Sequence, residues 1–137
     1  MLTGWHKVSG ANSYFYSNGH CAVGQVTGLT KPVYDPYAVG AIVWNLSWSR
    51  VSGASGYETA QSYTYYDTSK KKYAAWSVPS YTTDVGSATS SQIGMQNTVL
   101  CRLKVRAYAK VNGKRAYGPW SSWSKSVGFD RYGNRVG

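Results

Sequence analysis

Acidic side chains are scarce in this 137-residue chain: Asp35, Glu58, Asp67, Asp84 and Asp130 are the only five. They stand singly among turns and strand ends, and the two histidines, His6 and His20, both fall near the N-terminus. Catalysis requires titratable groups that converge on one point, so the expectation is a chain with no catalytic residues and no cofactor. His20 beside Cys21 is a single ligand pair, whereas tetrahedral zinc takes four ligands; no metal site is expected. Cys21 and Cys101 are the only cysteines. Two thiols make no framework and leave the redox compartment open, although a disulfide between them could tie the N-terminal segment to the strand that carries Cys101. No run of 18 apolar residues occurs, which excludes a membrane-spanning helix and argues against membrane insertion. No basic stretch followed by an apolar one opens the chain, so no signal peptide is expected. The chain would then be cut from a longer exported protein or leave the cell by another route.

Phenylalanine is scarce too, at two residues against thirteen Tyr and six Trp. Tyr and Trp carry a polar handle on an apolar body, which suits surfaces and interfaces. With 42% hydrophobic residues a proper core is within reach, and the length allows one domain plus a short appendage. The net charge of +10 is uneven. Residues 1–40 hold Lys7 and Lys31 against Asp35, a net of +1, whereas residues 99–137 hold nine Lys/Arg against Asp130, a net of +8. Such a basic half suits nucleic acid, an anionic glycan, a membrane surface or an acidic protein.

The patterning is that of strands. Ile42, Trp44, Leu46 and Trp48 alternate with Val43, Asn45 and Ser47, and Ser52–Gly56 reads as a turn. A second strand runs through Tyr57, Thr59 and Gln61 towards Tyr63, Tyr65 and Tyr66, a loop covers Asp67–Lys72, and Tyr73–Val78 is a third strand ended by Pro79. Ser80–Asn97 is polar and holds one short strand and a loop. Val99, Cys101, Leu103, Val105 and Ala107 alternate strictly with Leu100, Arg102, Lys104, Arg106 and Tyr108, the clearest strand of all. Asn112-Gly113 signals a hairpin, after which Tyr117–Phe129 returns as the last strand. No window supports an amphipathic helix.

Trp48 to Tyr57, Leu103-Lys-Val-Arg-Ala-Tyr108 and Tyr117-Gly-Pro-Trp-Ser-Ser-Trp-Ser124 together resemble a bacterial or phage fibronectin type III domain over roughly residues 30–129. The resemblance implies an immunoglobulin-like β-sandwich with Trp48, Tyr57, Leu103, Val105 and Ala107 in its core; Cys101 stands where the family usually has a tyrosine. Residues 4–24, with Gly4-Trp5-His6-Lys7, Gly10, Tyr14-Phe15-Tyr16 and Gly19, resemble one aromatic-glycine cell-wall (choline)-binding repeat, a β-hairpin in that family. The same segment parallels the sandwich itself, since Trp5-x-Lys-Val-Ser-Gly-Ala-x-x-Tyr14 matches Trp48-x-Arg-Val-Ser-Gly-Ala-x-x-Tyr57. Either way a hairpin appendage at 1–28, a sandwich at 29–129 and a tail at 130–137 are expected.

Arg102, Lys104 and Arg106 share one strand face opposite Trp120 and Trp123. As a nucleic-acid interface this would be a basic strip with stacking aromatics; the preferred reading is an internal ladder of cations between Trp rings, as the Trp-Ser-x-Trp-Ser pattern of cytokine-receptor fibronectin domains implies. Lys70–Lys72 and Lys114-Arg115 read as solvated turns. Trp5, Tyr14 and Tyr16 are candidate glycan-stacking residues that could equally pack the hairpin down, and Tyr63, Tyr65 and Tyr66 are candidate interface residues on one edge. The favoured function is a non-catalytic decoration or accessory subunit of an extracellular particle such as a phage virion, meeting the acidic face of a protein partner. A glycan- or cell-wall-binding fragment of an exported Gram-positive surface protein is the alternative, and nucleic acid ranks last.

Overall fold

Two-residue turns with both φ angles positive open and close the chain's tightest hairpins. Ser9-Gly10 (φ 51° and 81°) joins β1 (Gly4–Val8) to β2 (Ala11–Phe15), and Asn112-Gly113 (φ 51° and 77°) plays the same part near the C-terminal end. Such turns match the natural twist of paired strands. The structure, a computed structural model, describes residues 3–95 and 99–137. Between these hairpins lie β3 (Val33–Asp35), β4 (Ile42–Ser47), β5 (Gly56–Asp67), β6 (Lys72–Tyr73), β7 (Thr83–Gly86), β8 (Ser90–Met95) and β9 (Val99–Val111). Asn112-Gly113 then leads into β10 (Lys114–Tyr117), followed by β11 (Val127–Phe129) and β12 (Arg135–Val136). There is no helix among the described residues.

The strands form an antiparallel all-β sandwich. One sheet has the order β3-β4-β8; the other runs β12-β11-β9-β5-β6, with β10 also on β9 and β7 also on β5. Alternation explains the core. The β9 residues Cys101, Leu103, Val105 and Ala107 are completely buried, as are Trp44 and Ile93 of the facing sheet. Trp48 meets Tyr57 edge to face at 5.7 Å across the two layers. The Tyr57 hydroxyl also accepts from the Val51 N–H at 2.8 Å, tethering the turn between β4 and β5. Burying a side chain of this kind contributes roughly 1.5–3 kcal/mol.

The ends of the chain join this body. Ser13 of β2 donates to the Tyr117 carbonyl at 2.8 Å, and Ala22, Val23 and Val26 are buried in the same core as β4 and β9. Within the segment expected as an appendage, Gly4–Phe15 is thus a hairpin, and Ala22, Val23 and Val26 belong to the sandwich core. The expected tail instead turns at Asp130 and returns as β12 along β11.

Three expected strands change shape. Ser80–Asn97 contains two strands, β7 and β8, and its last two residues, 96 and 97, lie outside the described residues. The stretch expected as one strand over Tyr73–Val78 is regular only at Lys72–Tyr73, and the one over Tyr117–Phe129 is broken between β10 and β11. Both irregular stretches still follow a neighbouring strand, but with a different step. Gly118, Ser121 and Ser124 donate N–H bonds to the carbonyls of Ala107, Val105 and Leu103, three residues of one segment for every two of β9. Ala74 and Ser77 do the same to Tyr65 and Tyr63 of β5. A period of three puts residues three apart on the same side, whereas a strand's period of two would put them on opposite sides.

Candidate functional site

That change of step builds a stack of alternating aromatic and cationic side chains. β5 and β9 pair with Glu58 opposite Arg106, Ala60 opposite Lys104 and Ser62 opposite Arg102, so all three cations rise from the outer face of the larger sheet. Trp120 and Trp123, three residues apart, come down beside them. Arg106 lies 3.9 Å from the Tyr117 ring centre and 4.6 Å from Trp120. Lys104 lies 4.7 Å from Trp120 and 4.9 Å from Trp123, and Arg102 lies 4.5 Å from Trp123 and 4.3 Å from Trp76. The stack therefore alternates Tyr117, Arg106, Trp120, Lys104, Trp123, Arg102, Trp76. The sequence reading places five of these seven; Tyr117 and Trp76 are additions.

A repeated Trp-Ser unit holds it. In Trp76-Ser77, Trp120-Ser121 and Trp123-Ser124 the ring joins the stack, and the serine clamps one residue of the adjacent strand from both sides. Ser121 gives its N–H to the Val105 carbonyl (2.8 Å) while its hydroxyl oxygen accepts the Val105 N–H (3.0 Å). Ser124 treats Leu103 the same way (2.8 and 3.0 Å), and Ser77 treats Tyr63 (both 2.9 Å). Serine suits the position because its short hydroxyl supplies the acceptor that the broken strand no longer offers. The surrounding rings and the flanking charges have an electrostatic consequence: desolvation first, then Arg106 and Arg102, lower the Lys104 pKa from its ordinary value.

The two ends of this face differ. At the β10 end the guanidinium groups meet carboxylates. Glu58, with only 6% of its side chain exposed, receives Arg106 at 2.8 Å and Arg115 at 2.7 Å, and Arg115 also reaches Asp84 at 2.5 Å. Asp84 is held below the usual carboxylate range, first by the Gly86 N–H and then by Arg115. At the opposite end Arg131 lies 4.9 Å from the Tyr66 ring and 4.6 Å from the Tyr132 ring and donates to both hydroxyls, to Tyr66 at 2.8 Å.

The remaining acids serve their own turns. Asp35 accepts from the Tyr37 N–H, Asp67 from Ser69 and Lys70, and Asp130 from Tyr132 and Asn134. Every carboxylate is therefore engaged within the chain, while Lys7, Lys31, Arg50, Lys70, Lys71, Lys72, Lys110, Lys114 and Lys125 are exposed. Among the described residues no three His, Cys, Asp or Glu side chains gather as a metal site would require.

The six candidate aromatics do not form one surface. Trp5 and Tyr14 pair edge to face at 5.3 Å across the hairpin and pack partly on the core, and Tyr16 stands against Tyr14 at 5.6 Å. Tyr63 and Tyr65 share the inner face of β5, 38% and 54% exposed, whereas Tyr66 points to the outer face, against Tyr73 and Arg131.

The disulfide considered between Cys21 and Cys101 is corrected by the structure, in which both thiols are free. Cys21 lines a cleft of about 420 Å³ with Phe15, Val23, Arg106, Pro119 and Trp120. Cys101 is five residues from Arg106 along β9, roughly 16 Å at strand rise, whereas a disulfide needs Cα atoms within about 7 Å. Burial pushes the Cys101 thiol pKa up to about 12.

No protein-family model matches the chain, and no curated protein matches it.

Proposed function

We propose that this chain is a non-catalytic binding and structural module, a decoration or accessory subunit of an extracellular particle such as a phage virion, which docks on the acidic face of a protein partner. The observation that carries the reading is the allocation of charge: all five carboxylates are turned to internal tasks, leaving a basic exterior interspersed with tyrosines. Complementary charge and interface-type aromatics are what such docking uses. A fibronectin type III-like assignment is supported by the sheet orders, since β3-β4-β8 facing β11-β9-β5-β7 corresponds to strands A, B and E over G, F, C and C′. The alternative cell-wall lectin is less well supported, because Trp5 and Tyr14 use their ring faces and edges on each other and on the core.

The test has two arms. Cross-linking and native mass spectrometry of the particle purified from the source organism should find the chain in repeated copies against a protein partner. A glycan array should stay silent. A glycan hit abolished by Trp5→Ala, with no particle association, would reverse the ranking.

A further inference from the structure

We propose that the end of the larger sheet formed by Tyr66, Tyr73, Arg131 and Tyr132 is the surface that receives the partner's acidic face, with Arg131 taking one of its carboxylates. The inference rests on the binding-module reading and adds a location and an anchor to it.

The same device, a guanidinium laid on tyrosine rings, occurs at both ends of this sheet. At one end it is complete: Arg115 lies 4.0 Å from the Tyr108 ring and closes on Glu58 and Asp84. At the other end Arg131 has its rings but, among the described residues, no carboxylate within ion-pair distance. The nearest acids in sequence, Asp67 and Asp130, cap their own turns. Two of the five guanidinium N–H groups go to the hydroxyls of Tyr66 and Tyr132, so three remain for an incoming carboxylate. The two tyrosines also fix the orientation of the guanidinium before binding, which lowers the entropy lost on contact.

The surroundings favour a protein carboxylate. Tyr132 is 70% exposed and Tyr73 41% exposed, and Tyr66 and Tyr73 meet at 80° rather than offering parallel ring platforms to a sugar. Lys70 and Lys71 on the turn between β5 and β6, and Lys72 at the start of β6, raise the local positive potential. Arg and Tyr are the residue types that anchor protein interfaces.

Fluorescein-labelled poly-L-glutamate, followed by anisotropy at low ionic strength with the full chain, tests this. Wild type should bind, and Arg131→Gln should weaken binding about tenfold. Tyr132→Ala should weaken it several-fold, and Lys31→Gln, an exposed charge elsewhere, less than about twofold. Unchanged melting temperatures in Arg131→Gln and Lys31→Gln separate binding from folding. Equal losses in those two variants would mean that net charge alone binds, and would overturn the site while leaving the module reading intact. So would wild type failing to bind poly-L-glutamate, or binding heparin in an Arg131-dependent way while ignoring poly-L-glutamate. Absence of the chain from any particle would instead strike at the module reading.

Discussion

Replacing Arg106 by alanine is the sharpest test of the ladder. The side chain lies 3.9 Å from the Tyr117 ring and 4.6 Å from Trp120, and its Nε and Nη2 both donate to Oε1 of Glu58, at 3.1 and 2.8 Å. The two ring contacts contribute about 1–2 kcal/mol together. Removing one partner of a buried ion pair costs about 3–5 kcal/mol, and the lower part of that range applies because Arg115 still neutralises Glu58. A total near 4 kcal/mol corresponds, for a domain of this size, to a fall in Tm of about 12–16 °C. Lys71→Ala, at an exposed turn position, should stay within about 0.5 kcal/mol, or 2 °C. Thermal melts at neutral pH read both. A double-mutant cycle of Arg106→Met and Glu58→Gln then separates the ring contacts from the ion pair. If Arg106→Ala melted within 2–3 °C of Lys71→Ala, the ladder would be an ornament of the surface and the reasoning from buried cations would be wrong.

Ser121→Ala should cost about 1–3 kcal/mol, because the buried Val105 N–H loses its acceptor, and hydrogen exchange at that amide should quicken more than at Ala107. Val23→Ala should cost about 2 kcal/mol in chemical denaturation, an effect that a loosely attached appendage would not show. A thiol reagent should label only Cys21 in the native protein and both cysteines after unfolding; no label in the unfolded protein before reduction, and two after it, would mean that the two thiols are joined in a disulfide. Because the folded-state pKa of Cys101 is raised from its ordinary 9.0 to about 12, its contribution to stability is complete below pH 9 and is lost as the pH rises towards 12. Lys104, whose pKa is lowered, has the opposite slope just below its ordinary value of 10.5, so the comparison to make is wild type against Cys101→Ala. The variant should lose less stability than wild type between pH 9 and 11, and parallel curves would contradict the burial of the thiol.

Strict alternation from Val99 to Ala107 was enough to place β9, its buried face and its three cations, because a strand has no other way to sort side chains. The Asn112-Gly113 turn and the all-β character of the described residues were equally legible. Trp120 and Trp123 were marked by their Trp-Ser pattern, and the same dipeptide at Trp76-Ser77 was the available signal for the ladder's far end. Only the tertiary structure decided the rest. A spacing of three puts two tryptophans on one side only if the segment abandons the strand period, and the serine clamps onto β9 make that choice. The twin patterns Trp5 to Tyr14 and Trp48 to Tyr57 read alike, yet the first pairs its aromatics across one hairpin and the second across two sheets. The hydrophobic face available to each segment settles that difference, and no local pattern records it. The neutralisation of Arg106 and Arg115 by Glu58, and the seat of Arg131 on Tyr66, likewise depend on residues 48 to 65 positions apart meeting on one sheet face.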